Sequence, residues 1–130
     1  MPPIACVAVA LYVQKFGGTS VGTPDRIREV ADHAARCVKR GDQVVLVVSA
    51  MGKETDELLR LADDVSTSKP GREMDMLITG GERKACALVA MALTDLGIES
   101  ESFTGSQAGF LTDTTHRNAK ILEVNPRRIA

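Results

Sequence analysis

The sequence predicts an α/β fold, with a layered, mainly parallel β-sheet and helices on both of its faces. Apolar, strand-like segments alternate along the chain with segments whose apolar residues recur at helical spacing. One predicted strand, residues 43–49, is continuously apolar rather than alternating, which is typical of a strand covered on both faces. Right-handed crossovers between parallel strands then place helices on both sides of the sheet.

Start and stop signals delimit the individual elements. Thr23-Pro24-Asp25 combines a capping hydroxyl, a proline tolerated in a first helical turn and an acid that matches the helix dipole. Glycines predict where two helices end. The first half is predicted to be a strand over residues 9–16, a glycine-rich loop over 17–22, a helix ending at Gly41, a strand over 43–49 and a short helix capped by Thr55. A connector over 66–71 then leads to a long helix over 74–96, which ends at Gly97. The remainder is predicted to be a strand over 98–104, a loop over 105–115, a strand over 120–124 and the entry to another helix at Asn125-Pro126.

Size and composition exclude several classes of function. The chain has 130 residues, one domain at most, with 16 Lys and Arg against 17 Asp and Glu. This balance, together with one tyrosine, three phenylalanines and no tryptophan, argues against a nucleic-acid partner. The three cysteines form neither a disulfide framework nor a zinc-ligand spacing, which favours a reducing cytoplasm.

The apolar N-terminal run does not predict a membrane segment. No lysine or arginine precedes Lys15, so a secretory signal would lack its charged region. The run is also too short to span a bilayer. Residues 1–8 are therefore predicted to be an N-terminal extension, and most of the remaining run is the first strand.

Residues Lys15 to Ser20 carry the strongest functional signal. Glycines between the end of a strand and the start of a helix allow a phosphate to approach backbone N–H groups, and a lysine there can neutralise the charge of a transferring phosphoryl group. The spacing matches neither G-x-x-x-x-G-K-[ST] nor G-x-G-x-x-G. A glycine turn beside a solvated lysine is the alternative.

Two further segments offer polar groups. Ser49 and Thr55 follow the second predicted strand, and ligands of open α/β sheets bind at the carboxyl ends of strands. The alternative is a turn serine and a helix-capping threonine. Gly80-Gly81 interrupts the long helical pattern, although glycine is unfavourable inside a helix. Either close packing against another element or the close approach of a ligand explains the two glycines. If a ligand binds there, Glu82 would hold an ammonium group and Arg83 a carboxylate. No metal site is predicted, because His33 and His116 have no ligand-type neighbours at metal-binding spacing.

Several of these segments occur together in one known family. From Leu11 to Asn125 the chain contains, in order, the motifs VQKFGGTSVG, VVSAMGKETDELLRLA, REMDMLITGGER, ALVAMAL and SFTGSQAG. On these motifs it resembles the aspartate kinases of the amino acid kinase superfamily, rather than its acetylglutamate, carbamate, glutamate or uridylate kinases. The resemblance implies a three-layer αβα sandwich and the synthesis of 4-phospho-L-aspartate from ATP and L-aspartate, the entry to lysine, threonine and methionine synthesis.

The resemblance also assigns roles to residues. Lys15-Phe16-Gly17-Gly18 matches the loop that binds the ATP phosphates, with Lys15 as the catalytic residue that stabilises the transferring group. Ser49, Thr55 and Glu82 match positions that bind aspartate. Mg²⁺ would arrive with ATP, and a homo-oligomer or a complementary kinase half is the expected protein partner.

The chain departs from the family pattern in three ways. Residues 9–130 correspond to the N-terminal portion of the kinase domain, so the fold is expected to be incomplete at its C-terminal side, without the half that holds the adenine pocket and without ACT regulatory domains. Gly80 and the segment 84–86 differ from the usual residues around Glu82, and Arg117 replaces a usual glycine and would be strained at positive φ. The chain alone is therefore expected to be inactive; the alternative is a non-catalytic module that binds aspartate or nucleotide, or a subunit that pairs with a complementary half. Because VALYVQKFGG resembles family N-termini, Val9 is a candidate start.

Overall fold

The computed structural model describes residues 8–130, so most of the predicted extension over residues 1–8 lies outside the described range. The predicted α/β class is confirmed. In chain order the elements are strand β1 (Leu11–Phe16), a 3₁₀ helix (Gly18–Val21), helix α1 (Pro24–Lys39), strand β2 (Gln43–Val48), helix α2 (Glu54–Val65), helix α3 (Gly71–Asp95), strand β3 (Phe110–Thr112), strand β4 (Ile121–Val124) and a second 3₁₀ helix (Pro126–Arg128).

Helix α1 begins and ends where the sequence predicts. The Thr23 hydroxyl accepts a hydrogen bond from the Arg26 amide at 3.2 Å, and Pro24 is the first helical residue. Beyond the last helical residue, Gly41 has a φ of +97°, a conformation that favours glycine. The apolar face of α1 supplies much of the core that supports the sheet.

Strands β1 and β2 are parallel neighbours, with Lys15 opposite Val47 and Phe16 opposite Val48 in the register. The even-numbered residues of β2 face the core formed with α1 and α3. The other face of the sheet is open in residues 8–130: Val13 is 68% exposed and Val47 46% exposed. The main core residues are Val21, Ile27, Val30, Ala31, Ala34, Ala35, Val89 and Leu93.

Helices α2 and α3 correct one prediction. Thr55 does not cap α2: the helix already begins at Glu54, the preceding Lys53 makes no side-chain cap, and Thr55 lies in the first turn. Glu54 and the two acids after Thr55 favour this earlier start through the helix dipole. The long helix is confirmed, and α3 continues through both glycines without a break.

The predicted strand over residues 98–104 is wrong. At its two ends, backbone N–H groups bond locally rather than to a neighbouring strand: the Ile98 amide donates to the Leu93 carbonyl at 3.0 Å, and the Thr104 amide donates to the Gln107 side chain at 2.9 Å. The Ser100 hydroxyl donates to the Ala90 carbonyl of α3 at 3.1 Å. The predicted final strand is confirmed as β4. It pairs antiparallel with β3, a strand that lies inside the predicted loop over 105–115.

Candidate functional site

The site is built where β1 and β2 end side by side. The Ser49 amide donates to the Phe16 carbonyl at 3.2 Å, and the Gly52 amide donates to the Gly18 carbonyl at 2.9 Å. These bonds join the two turns that follow the strands. Because parallel strands present their carboxyl ends at one edge, Lys15 to Gly18 and Ser49 to Gly52 share that edge of the sheet.

Gly18 is required by this contact between turns. A Cβ at Gly18 would lie 2.9 Å from the Ala50 carbonyl oxygen and 3.1 Å from that of Gly52. Both atoms belong to backbone, which cannot move away as the end of a flexible side chain can. Close packing therefore explains Gly18 without any ligand.

Gly17 has no such packing reason. A Cβ there would have no neighbour within 4 Å, and its φ of −74° and ψ of 173° are open to any residue. In the described part of the chain, the N–H groups of Gly17 and Gly18 donate to no protein acceptor. These two free amides beside a strand end are the feature of the loop that a phosphate would use.

Lys15 lies immediately before these amides. It is exposed, on the strand face opposite to the one that packs against α1. Within residues 8–130 it forms no ion pair, so its positive charge is not neutralised. The Phe16 side chain instead packs toward the core and meets His33 edge to face at 6.1 Å, which leaves only the backbone of Phe16 available to a ligand.

The two glycines of α3 have different surroundings. A Cβ at Gly81 would lie 3.3 Å from the Glu54 Cγ and Cδ atoms and 3.3 Å from the Leu58 Cδ1 atom of α2. Close helix packing therefore explains Gly81, which is the simpler of the two sequence interpretations. A Cβ at Gly80 would have no neighbour within 4 Å, and packing does not explain this residue.

This difference yields a paired prediction. Gly80→Ala should raise the free energy of unfolding by about 1 kcal/mol, since alanine is the better helix former and no atom obstructs it. Gly81→Ala should lower the free energy of unfolding, because crowding against α2 costs about 1–3 kcal/mol and outweighs the gain in helix propensity. Urea denaturation of both variants checks the pair. Equal shifts for the two substitutions would contradict the packing at Gly81.

Glu82 follows Gly81 on the exposed side of α3. It forms no ion pair within the described residues, so its carboxylate is free to accept a cationic group. Thr55 follows Glu54 in the first turn of α2, and Glu54 lies against Gly81, the residue before Glu82. The structure thus joins Ser49 to the Lys15–Gly18 loop through a backbone hydrogen bond, and it brings the residues that precede Thr55 and Glu82 into contact between α2 and α3.

One polar contact at this helix pair is absent from the sequence predictions. Glu54 Oε1 lies 2.5 Å from Lys84 Nζ, with the Glu54 side chain 17% exposed. The two residues are thirty positions apart, and neither has a motif of its own. Only the contact at Gly81, already marked by an unusual glycine pair, could have pointed to this place.

The long segment after α3 returns to that helix near its start. Asp75 accepts hydrogen bonds from the Arg117 amide at 3.1 Å and pairs with His116 Nδ1 at 2.9 Å. A Cβ at Gly71 would lie 2.9 Å from the His116 Cβ, so the absence of a side chain there admits the histidine. In the adjoining turn, the Thr115 amide donates to the Asp113 carboxylate at 3.0 Å and lowers the pKa of Asp113.

Arg117 has a φ of +64°, the strained conformation expected for it. A left-handed conformation costs an L-residue about 1–2 kcal/mol, and glycine removes this cost. Glycine also has more conformational freedom in the unfolded chain, which cancels part of the gain in stability. Arg117→Gly should therefore raise the free energy of unfolding by up to about 1 kcal/mol. The hydrogen bond from the backbone amide of residue 117 to the Asp75 carboxylate should remain. Thermal unfolding checks this against Asn118→Gly, whose φ is not positive and which should not stabilise. A lower melting temperature for Arg117→Gly would contradict the strain.

The described part of the chain has no metal site and no membrane-spanning helix, and its grooves lie away from the ends of the strands. Residues 8–130 contain no group of three or more His, Cys, Asp or Glu residues placed to hold a metal ion. No helix among them has the length and apolarity needed to cross a membrane. Two open grooves, of about 450 and 300 Å³, follow α2 and the α2–α3 connection rather than the ends of the strands.

Comparison with known proteins places this geometry in a family. A sequence profile of the amino acid kinase family matches residues 10–130. The chain belongs to the amino acid kinase family. The chain is 57% identical over 121 residues to an aspartokinase of Mycolicibacterium smegmatis and 55% identical to one of Corynebacterium glutamicum, in each case over 93% of its own length. The sequence resemblance to aspartate kinases is thereby confirmed.

A solved structure supports the same placement. The chain superposes on the crystal structure of aspartate kinase from Synechocystis with a TM-score of 0.73 and 51% identity, over 77% of its length. It covers only 17% of that chain and 29% of the curated relatives. The described residues therefore correspond to less than a third of those proteins.

Proposed function

We propose that this chain provides the phosphate-binding and aspartate-binding part of an aspartate kinase. The reaction transfers the γ-phosphoryl group of ATP to the β-carboxylate of L-aspartate and yields 4-phospho-L-aspartate and ADP. The observation that carries the proposal is the strand-end junction: two glycine amides and a lysine, all without a protein partner among residues 8–130, adjoin a second turn that contributes Ser49. The high identity to proteins named aspartokinase supports the choice of substrate.

The phosphate groups of ATP are assigned to the Lys15–Gly18 loop. The residues fit this ligand, since among residues 8–130 the amides of Gly17 and Gly18 have no protein acceptor and Lys15 has no anionic partner. A Cβ at Gly17 would point into open space, so the loop is accessible to a ligand of this size. Mg²⁺ bound with ATP would share the neutralisation of phosphate charge, and we assign it no protein ligand in this chain.

Aspartate is assigned to Ser49, Thr55 and Glu82. A carboxylate with an ordinary pKa near 4 is ionised at neutral pH, so the nucleophile needs no general base. The protein has then to position the two substrates and neutralise charge. Glu82 offers a carboxylate for the ammonium group of aspartate, and the hydroxyls of Ser49 and Thr55 offer hydrogen bonds.

The active unit is proposed to be larger than these residues. Leu11, Val13 and Val47 are 46–68% exposed on the open face of the sheet, and apolar strands of parallel sheets are ordinarily covered. Further chain, a complementary kinase half or a second copy would cover them. A reducing cytoplasmic location is part of the proposal and agrees with the free thiols of Cys37 and Cys86.

This open face leads to a prediction about association. The 130-residue chain should self-associate at micromolar concentrations, because contiguous exposed apolar surface promotes association. Val13→Lys combined with Val47→Glu should reduce it, while Val65→Lys, at a residue 79% exposed on α2, should not. Analytical ultracentrifugation checks all three proteins. A monodisperse wild-type monomer would contradict the prediction.

Titration calorimetry tests the binding assignments. The wild-type chain should bind L-aspartate and, independently, ATP with Mg²⁺. Glu82→Gln should weaken aspartate binding at least tenfold and leave ATP binding unchanged, since one charge-assisted hydrogen bond contributes about 1.5–3 kcal/mol. Binding of neither ligand by the folded chain would contradict the proposal. Binding of both, with no phosphoryl transfer by the complete gene product, would instead favour a non-catalytic binding module.

A further inference from the structure

The α2–α3 contact has an ionic link beside two of the proposed aspartate-binding residues. Glu54 precedes Thr55 at the start of α2, and Lys84 follows Glu82 by two positions on α3. Glu54 Oε1 and Lys84 Nζ are 2.5 Å apart. This ion pair and the packing at Gly81 join the segments of α2 and α3 that carry Thr55 and Glu82.

The Glu54 carboxylate depends on this single partner. Its side chain is 17% exposed, and its second oxygen, Oε2, is buried without a hydrogen-bond partner in the described part of the chain. Its stem packs against Gly81, where a Cβ would approach its Cγ and Cδ atoms to 3.3 Å. A mostly buried carboxylate that loses its only counter-charge must turn toward water, because an unpaired buried charge is strongly unfavourable.

Such a rotation would alter the spacing of the two helices. The Glu54 stem fills the space that Gly81 leaves, so its departure removes the contact that holds α2 against α3 at this point. Thr55 would then move relative to Glu82. The Lys84 side chain is 52% exposed and can release Glu54 without any change in the core.

We propose that Glu54 and Lys84 form a positioning pair that sets the spacing of Thr55 and Glu82 for aspartate. Neither residue contacts the substrate; they act through the helices that carry the contacting residues. This inference rests on the proposed function for the assignment of Thr55 and Glu82. It adds two residues and an inter-helix ion pair to that assignment.

Calorimetry of four variants of the 130-residue chain tests the pair. Lys84→Met should weaken L-aspartate binding about tenfold and leave ATP binding unchanged, because small misplacements of binding groups cost up to about 10²-fold. Lys84→Arg should retain wild-type binding. Glu54→Gln with Lys84→Met removes both charges and should recover most of the loss. Arg60→Met, which removes an exposed cation from α2, should have no effect.

Each alternative outcome overturns the inference. Unchanged aspartate affinity in Lys84→Met means that the pair does not position the site. A loss that the double variant does not recover means that Lys84 contacts aspartate directly. Parallel losses of aspartate and ATP binding, with a lowered melting temperature, indicate a purely structural role.

A measurement without ligand separates this inference from the proposed function. In Lys84→Met, the backbone amide resonances of Thr55 and Glu82 should shift in an ¹⁵N-correlated spectrum, and the double variant should return them toward the wild-type positions. Absence of these shifts overturns the positioning role whether or not the wild-type chain binds aspartate. Absence of wild-type aspartate binding, with the shifts present, contradicts the proposed function alone.

Discussion

Gly18→Ala should lower the free energy of unfolding by about 3 kcal/mol, at the upper end of the cost of overpacking a close contact. The added Cβ would meet the Ala50 and Gly52 carbonyl oxygens at 2.9 and 3.1 Å. These atoms belong to the turn between β2 and α2. Moving this turn would also disturb the hydrogen bond that the Gly52 amide donates to the Gly18 carbonyl. Urea denaturation with a common m-value measures the loss.

Gly17→Ala is the matched control for this substitution. It adds the same methyl group one residue earlier, where no atom lies within 4 Å and the backbone is in an ordinary extended conformation. We expect a change in stability below about 1 kcal/mol, the usual range for an exposed position. Equal losses for the two variants would show that the contact between the two turns is not what requires Gly18.

Lys15→Ala should reduce phosphoryl transfer by the complete gene product about 10²- to 10³-fold in kcat, the usual effect of removing one charge-stabilising donor. Stability should change little, because the side chain is exposed and makes no ion pair in residues 8–130. The decrease should therefore appear as lost turnover in a protein that melts normally.

Lys39→Ala provides the comparison for charge alone. It removes an equally exposed lysine from the last turn of α1, at the far end of that helix from the glycine loop. Initial rates at saturating ATP and aspartate should be close to wild type. Retention of full turnover by Lys15→Ala, or an equal decrease in both variants, would contradict the assigned role of Lys15.

Much of the fold is predictable from the sequence because its signals are local. Thr23 and Gly41 delimit α1 through capping and a left-handed glycine, both of which depend on residues within one turn. The apolar run of β2 predicts a strand without reference to its partner. The predicted positive φ of Arg117 came instead from the family resemblance, which places a glycine at that position.

The predictions failed where local and tertiary preferences compete. Residues 98–104 have a strand-like composition, but the Ile98 amide donates to the Leu93 carbonyl and the Thr104 amide donates to the Gln107 side chain. These N–H groups are therefore not available to a ladder. Strand β3 forms within a segment predicted to be a loop, because the Asn125 amide donates a hydrogen bond to the Gly109 carbonyl. Gly109 itself adopts a φ of +94°. Neither partner can be identified from the neighbouring sequence.

The candidate site shows the same division. The glycine loop is evident from sequence, but its two glycines differ: Gly18 is needed for packing, whereas a Cβ at Gly17 would meet no atom of the described residues within 4 Å. The link between Glu54 and Lys84 joins residues thirty positions apart, so no periodicity or spacing rule predicts it. Sequence indicates which groups could bind a ligand, and the structure indicates what holds them in place.

The most direct test of the proposed function is an acceptor screen on the complete gene product that contains these residues. ADP release from ATP and Mg²⁺ is measured with L-aspartate, L-glutamate, N-acetyl-L-glutamate, carbamate and UMP, for the wild type and for Lys15→Ala. We predict that L-aspartate alone stimulates ADP release, that hydroxylamine traps the product as aspartyl hydroxamate, and that Lys15→Ala reduces both signals about 10²- to 10³-fold. Preference for another acceptor, or no stimulation by L-aspartate in a folded protein, would contradict the proposed function.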